Sequence, residues 1–142
     1  MSEPVVYGPG YSTYTRSVLL TLEEKGVAYR LEEVDIFAGA HKEPGHLARH
    51  PFAKVPAFEH DGFALYETTA IMRYIDEAFA GATLQPGDAH ERARLNQVLR
   101  IIDAYGYPAL IGTIVIQRVV VPRTGGTPDE AAIEAAVPQA QT

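Results

Sequence analysis

The 142 residues contain no cysteine. That absence excludes a disulfide scaffold and any mechanism using a thiol of the protein's own. Positive charge is scarce too: 12 Lys and Arg stand against 18 Asp and Glu, for a net charge of −6. No basic run offers a local exception, so a nucleic acid partner, which needs a basic surface, is not expected. Long apolar runs are also missing. The longest, Ala109 to Val121, carries Gln117 and Arg118 and reads as too short and too interrupted to span a bilayer. Met1 to Pro4 has no basic stretch leading into an apolar one, so it does not read as a secretory signal. What is present is 46% hydrophobic and 21% charged, the balance of a chain with a packed core. A soluble cytoplasmic protein is the expectation.

The local patterns alternate between strand and helix. Val5-Val6-Tyr7 is a short apolar run stopped by Gly8-Pro9-Gly10, as a buried strand would be. Val18, Leu19 and Leu22 fall at helical spacing, and Gly26 follows Lys25 where a helix would end. Tyr29 to Asp35 or Ile36 alternates as a second strand. Strand, helix, strand at this length predicts a parallel pair with a right-handed crossover. Phe37 to Phe52 reads as loop with one irregular helix. Val55 to Glu59 and Phe63 to Tyr66 read as a hairpin around Asp61-Gly62. Thr68 or Thr69 is the expected cap of a helix bearing Ile71, Met72, Tyr74, Ile75 and Phe79. The order βαβ, loop, ββα predicts an α/β fold of thioredoxin-like type, a four-stranded mixed sheet in residues 1–82. A linker is expected at 83–88. Residues 89–142 read as all-helical and incomplete, with Pro108 as a kink or interruption. Thr127 is the expected cap of the last helix, with Pro128 at its first position and Pro138 breaking its pattern.

Several residues can carry chemistry. Ser12, just before a helix N-terminus, is either a plain cap or a hydroxyl donor to an anion. No motif places a histidine beside it as a base, which disfavours a triad nucleophile. Lys54-Val55-Pro56 opens a strand. Pro56 is either an ordinary strand-initiating proline or a cis-proline that exposes the Val55 backbone to an extended peptide. Glu67 and Thr68 open a helix, as a simple cap or as an anchor for a carboxylate and an ammonium group. His41 and Lys42 lie in a polar loop, with Lys42 as a possible carboxylate clamp. His46, His50 and His60 read as solvated surface. Without a convergent ligand set, no metal is expected.

Taken together, these segments resemble glutathione transferases. Ser12-Thr13-Tyr14-Thr15-Arg16, Gly39-Ala40-His41-Lys42-Glu43-Pro44, Arg49-His50-Pro51-Phe52-Ala53-Lys54-Val55-Pro56 and Leu65-Tyr66-Glu67-Thr68-Thr69-Ala70-Ile71 are similar to the plant phi class and related bacterial serine-type members. The resemblance implies glutathione as co-substrate. Ser12 would favour its thiolate, and His41 and Lys42 would hold the glycyl carboxylate. Val55, before Pro56, would pair with the cysteinyl backbone, while Glu67 and Thr68 would hold the γ-glutamyl end. Lys54 stands where the family often has glutamine, Thr68 where it has serine and His50 where it has asparagine. Tyr7, Tyr11 and Tyr14 are rivals to Ser12, and Tyr11 and Tyr14 are candidates to line the electrophile pocket. Making thiolate dominant from a free thiol requires a shift of about two pKa units, or roughly 2.7 kcal/mol. The implied reaction is conjugation of a small electrophile, by a homodimer. A non-catalytic glutathione-binding module, or a glutathione-dependent peroxidase or isomerase, are the alternatives on the same site.

Overall fold

A computed structural model describes residues 2–141; Met1 and Thr142, the outer ends of the two expected domains, lie outside the described residues. The chain forms two compact units that meet in sequence between Gln85 and Pro86.

The first unit is built on a four-stranded sheet with the order β2-β1-β3-β4. Its strands are β1 (Val5–Tyr7), β2 (Arg30–Glu32), β3 (Ala57–His60) and β4 (Phe63–Tyr66). β1 runs parallel to β2 and antiparallel to β3, and β3 is antiparallel to β4. The sheet is therefore mixed, as the pattern predicts. Helix α1 (Thr13–Glu24) connects β1 to β2, and α3 (Thr68–Ala78) follows β4. The short α2 (Pro44–Leu47) lies in the long loop between β2 and β3.

Alternation assigns the faces. Leu31, Val6, Phe58 and Leu65 form one transverse row across the strands. This row meets Val18 and Leu22 of α1 and Ile71 and Ile75 of α3, and the six fully buried members make the core. Tyr7 and Glu59 project from the other face, where Arg49, just beyond α2, lies 4.2 Å above the Tyr7 ring. Helix α1 ends with Val27 N–H donating to Leu22 C=O and Gly26 N–H to Glu23 C=O, a Schellman closure. The β3–β4 turn has positive φ at both Asp61 (48°) and Gly62 (78°), as a two-residue hairpin loop requires.

Several expectations need correction. The second strand is only Arg30–Glu32, and β3 starts at Ala57 rather than Val55. Helix α3 is capped by neither threonine: Thr68 is already helical and Glu67 occupies the cap position. His46, His50 and His60 are buried, not solvated. Each lies in an aromatic cluster, His50 against Tyr66 and His60 against Phe79, which a histidine's apolar ring body suits.

In the second unit one helix runs from Ala89 to Arg123 without interruption. Asp88 caps it, accepting from the His90 and Glu91 N–H groups. Pro108 does not break it, because π-type turns at Ile102–Gly106 immediately precede the α-helical Tyr107–Ala109. The widened turns change the hydrogen-bond register just before the residue that lacks an N–H. Pro122 sits in the same relation to the π-type segment Leu110–Val120. The helix is 35 residues long and, by length and composition alone, long and apolar enough to cross a membrane. The expectation considered only Ala109 to Val121, interrupted by Gln117 and Arg118, whereas the continuous helix extends that segment on its N-terminal side to Ala89. The last helix, Glu130–Ala140, is capped by Asp129, which accepts from Ala132 N–H, and not by Thr127. Pro138 lies inside it rather than ending it. Ile133 and Ala136 are its buried residues.

Candidate functional site

The register of the sheet decides which segments meet. Tyr7 pairs with Ala57, and Ala57 pairs with Tyr66. These three residues form one transverse row at one end of the sheet. The segments adjoining that row are Gly8 to Ser12, Val55-Pro56 and Glu67-Thr68. Three motifs far apart in sequence therefore leave the sheet at the same edge.

Two helix N-termini open there. Ser12 caps α1 in extended conformation (φ −65°, ψ 130°), and its Oγ accepts from Thr15 N–H at 3.5 Å. Its own O–H proton is not consumed by that bond. At α3, Glu67 has φ 73° and ψ 110°, and no side-chain bond caps the helix. A non-glycine residue in that region is strained, and such residues persist where the surroundings fix them, commonly at ligand sites. Both N-termini carry free N–H groups and a partial positive charge. An anion is the ligand class suited to such an edge.

The Val55–Pro56 bond is cis and Pro56 is fully buried. Among the described residues, no backbone hydrogen bond outside the helices and sheet ladders engages Val55. Beside it, the Lys54 carbonyl accepts from His46 Nε2–H at 2.7 Å, while the Lys54 side chain is exposed. His41 lies in the single 3₁₀ turn Ala40–Lys42, half-buried, with Nδ1 buried and without a partner among the described residues. Burial pushes the His41 pKa down, and the charges of Lys42, His46 and Lys54 push it further the same way. His50 Nδ1 is likewise buried without a partner. Burial lowers its pKa, opposed by the charge of Glu67.

The tyrosines separate. The Tyr7 hydroxyl donates to Glu59 Oε2 at 2.7 Å, and Glu59 also receives Arg49 Nε–H at 3.0 Å. Burial raises the Tyr7 pKa, the Glu59 hydrogen bond and charge add to it, and Arg49 offsets them in part. A hydroxyl whose single proton is already given to Glu59 is poorly placed to donate to a thiolate. Tyr11 is exposed and its ring stacks on Phe37 with centroids 5.9 Å apart. Tyr14 is half-buried in the first turn of α1. Among the described residues no group of three or more His, Asp or Glu side chains is placed to hold a metal ion.

Sequence reasoning gave Thr15 no role of its own and read His46 and His50 as solvated surface, whereas all three are buried. The spacing Ser12-x-x-Thr15 places Thr15 one turn from the cap, and the spacing His46 to His50 stacks their rings at 14° to one another.

The comparisons with known proteins agree with this geometry. Residues 11–78 match the family model described as glutathione S-transferase, N-terminal domain. A probable glutathione S-transferase of rice (Oryza sativa subsp. japonica) is 34% identical over 131 residues, covering 90% of this chain and 59% of its own length. The crystal structure of glutathione transferase F7 from Populus trichocarpa superposes with a TM-score of 0.86 at 37% identity, over 96% of this chain and 65% of that one. A theta-class glutathione S-transferase of Xanthomonas axonopodis pv. citri, solved with glutathione bound, gives 0.86 at 28% identity, over 99% and 66%. The chain thus spans about three fifths of the rice relative and about two thirds of the solved structures.

Proposed function

We propose, for a chain that belongs to the glutathione S-transferase family, that the Ser12–Val55–Glu67 edge binds glutathione and conjugates it, through its sulfur, to a small electrophile. The observation that carries this is the transverse row Tyr7–Ala57–Tyr66, which sets the three motifs side by side. Ser12 donates its free O–H to the glutathione sulfur, and the N-terminus of α1 adds positive potential. Val55 offers its N–H and C=O to the cysteinyl unit as an added strand would. Glu67 takes the γ-glutamyl ammonium and Thr68 the carboxylate at the start of α3. Lys42, with His41 and Lys54, takes the glycyl carboxylate.

The reaction is a displacement or addition. The glutathione thiol gives its proton to solvent, and the thiolate lone pair forms a carbon–sulfur bond. Where a leaving group is present it departs with the electrons of its bond to carbon. No thiol of the protein enters, consistent with a chain that has none. A charge-assisted hydrogen bond and a helix terminus together supply roughly the 2.7 kcal/mol that a shift of about two pKa units requires. Within the same reading the protein is a homodimer, supported by Phe52, which is 67% exposed beside the site loop. The cytoplasm is the inferred compartment, because it keeps glutathione reduced.

The test is a titration with glutathione followed by thiolate absorbance in the ultraviolet, with Ser12→Ala alongside and turnover of an activated aryl halide. A saturable thiolate signal at neutral pH, lost in Ser12→Ala, is expected. Binding without that signal points to a non-catalytic module, and no binding refutes the assignment.

A further inference from the structure

Thr15 is the one side chain in the first turn of α1 that is completely buried. Its Oγ1 has no hydrogen-bond partner among the described residues. An unpaired buried hydroxyl costs stability, and valine has nearly the same shape without that cost.

Its neighbours suggest what it does. On one side its backbone N–H reaches Ser12 Oγ. On the other its side chain lies against Gly8, the first residue beyond β1. A Cβ built on Gly8 would stand 2.5 Å from Thr15 Oγ1, 3.3 Å from Thr15 Cγ2 and 3.4 Å from Val55 Cβ. The first of these distances is too short for any side chain at position 8 without movement. Thr15 and Val55 thus both close on the space that a glycine leaves open. Thr15 is wedged between the strand end, the Ser12 cap and the loop that carries Val55.

We propose that Thr15, seated on Gly8, is a positioning residue that sets the spacing between the Ser12 hydroxyl and the Val55 backbone edge. The inference rests on the glutathione reading of the site. The sulfur and the cysteinyl backbone belong to one residue of the ligand, so their two receptors must keep a fixed separation. Errors well under an ångström matter for a hydrogen bond to a developing anion. A small side chain against bare backbone is a stiff way to hold such a distance. Gly8→Ala pushes the wedge outward, Thr15→Ala lets it collapse, and the double variant restores the fill, since the new Cβ occupies volume that Thr15 vacates.

The test is the thiolate titration of bound glutathione against pH, with melting temperature measured on the same samples. Gly8→Ala and Thr15→Ala are each expected to shift the apparent thiol pKa up by about 0.5 unit or more, roughly a threefold loss of thiolate on the rising limb. The double variant is expected to recover most of that shift. Thr15→Val, which keeps the shape and removes the unpaired hydroxyl, is expected to melt higher with the thiolate pKa unchanged. It keeps the idea testable if Gly8→Ala fails to fold. Folded Thr15→Ala with the wild-type pKa overturns the spacer, and so does a Thr15→Val that loses the thiolate, which would make the hydroxyl itself the acting group. Failure of the unmodified protein to bind glutathione would instead overturn the functional reading on which the spacer rests.

Discussion

His46 Nε2 and the carbonyl oxygen of Lys54 are 2.7 Å apart, and the carbonyl, which only accepts, fixes the proton on that nitrogen. The bond ties α2 to the residue before Val55, so a buried histidine steadies the segment proposed to meet the cysteinyl unit. His46→Leu fills the space but removes the donor. It is expected to cost about 1–3 kcal/mol in a urea titration and to weaken glutathione binding severalfold. A variant as stable as the parent would show that the carbonyl finds another donor.

Lys25 and Asp76 form a buried ion pair at 3.2 Å, in which Lys25 Nζ also donates to the carbonyls of Asp76 and Ala82. Removing one partner leaves the other charge uncompensated, so Lys25→Met is expected to destabilise by about 3–5 kcal/mol. Burial pushes the Asp76 carboxyl up, but hydrogen bonds from Leu84, Gln85 and Lys25 outweigh it and hold the pKa below the ordinary value. A depressed carboxyl contributes stability above its unfolded pKa, and that contribution is lost as pH falls through the folded value. Acid unfolding below about pH 4 is expected to weaken in Asp76→Asn. An unchanged acid limb would argue against the pair's role.

His41 shows the opposite sign. Its folded pKa lies below the ordinary value, so the unfolded chain binds the proton more readily. Stability is expected to fall as pH drops below about 6.5, and this slope should flatten in His41→Asn. With its pKa lowered, the imidazole is less able to carry charge at neutral pH, which leaves Lys42 as the stronger of the two proposed clamps. Lys42→Ala is therefore expected to raise the glutathione Kd more than His41→Asn, by about tenfold against a few-fold. Calorimetric titration of both variants at pH 7.5 checks the order.

Glu67 sets backbone strain against ligand binding. Glycine tolerates φ 73° freely, so Glu67→Gly is expected to relieve strain worth about 1–3 kcal/mol, less the entropy glycine loses on folding. The same change removes the carboxylate proposed for the ligand's ammonium group. A variant that melts no lower yet binds glutathione at least tenfold more weakly is the expected outcome. Glu67→Gln, with the strain kept, should lose binding without gaining stability.

Tyr7→Phe separates the candidate thiolate donors. It removes the hydroxyl's bond to Glu59 and its interaction with Arg49, so a loss of about 1 kcal/mol in stability is expected with thiolate formation intact. Loss of the thiolate signal would transfer the role of Ser12 to Tyr7.

Much of this was legible from residue patterns. The apolar run Val5 to Tyr7, the alternation after Tyr29, and Asp61-Gly62 between two short strands predict the mixed sheet that is found. What misled the reading was local. Thr68 and Thr127 are good caps by type, but Glu67 and Asp129 take those positions, since the cap is set by where the preceding strand or turn delivers the chain. Pro108 breaks an α-helix, yet a widened turn before it absorbs the defect. The buried histidines were missed because histidine in a polar, Pro- and Gly-containing stretch gives no periodic signal. Their burial comes from the return of Tyr66 and Phe79 out of later elements.

The transverse row Tyr7–Ala57–Tyr66 joins strands brought together only when the whole first unit has formed. No hairpin or helix taken alone possesses the proposed binding surface, so a ligand there is expected to be linked to global unfolding rather than to local loop opening. At a free concentration about one hundred times Kd it adds about 2.7 kcal/mol. Under hydrogen exchange that gain is expected to protect β1, β3 and β4 as a group, to the same extent and at the same ligand concentration.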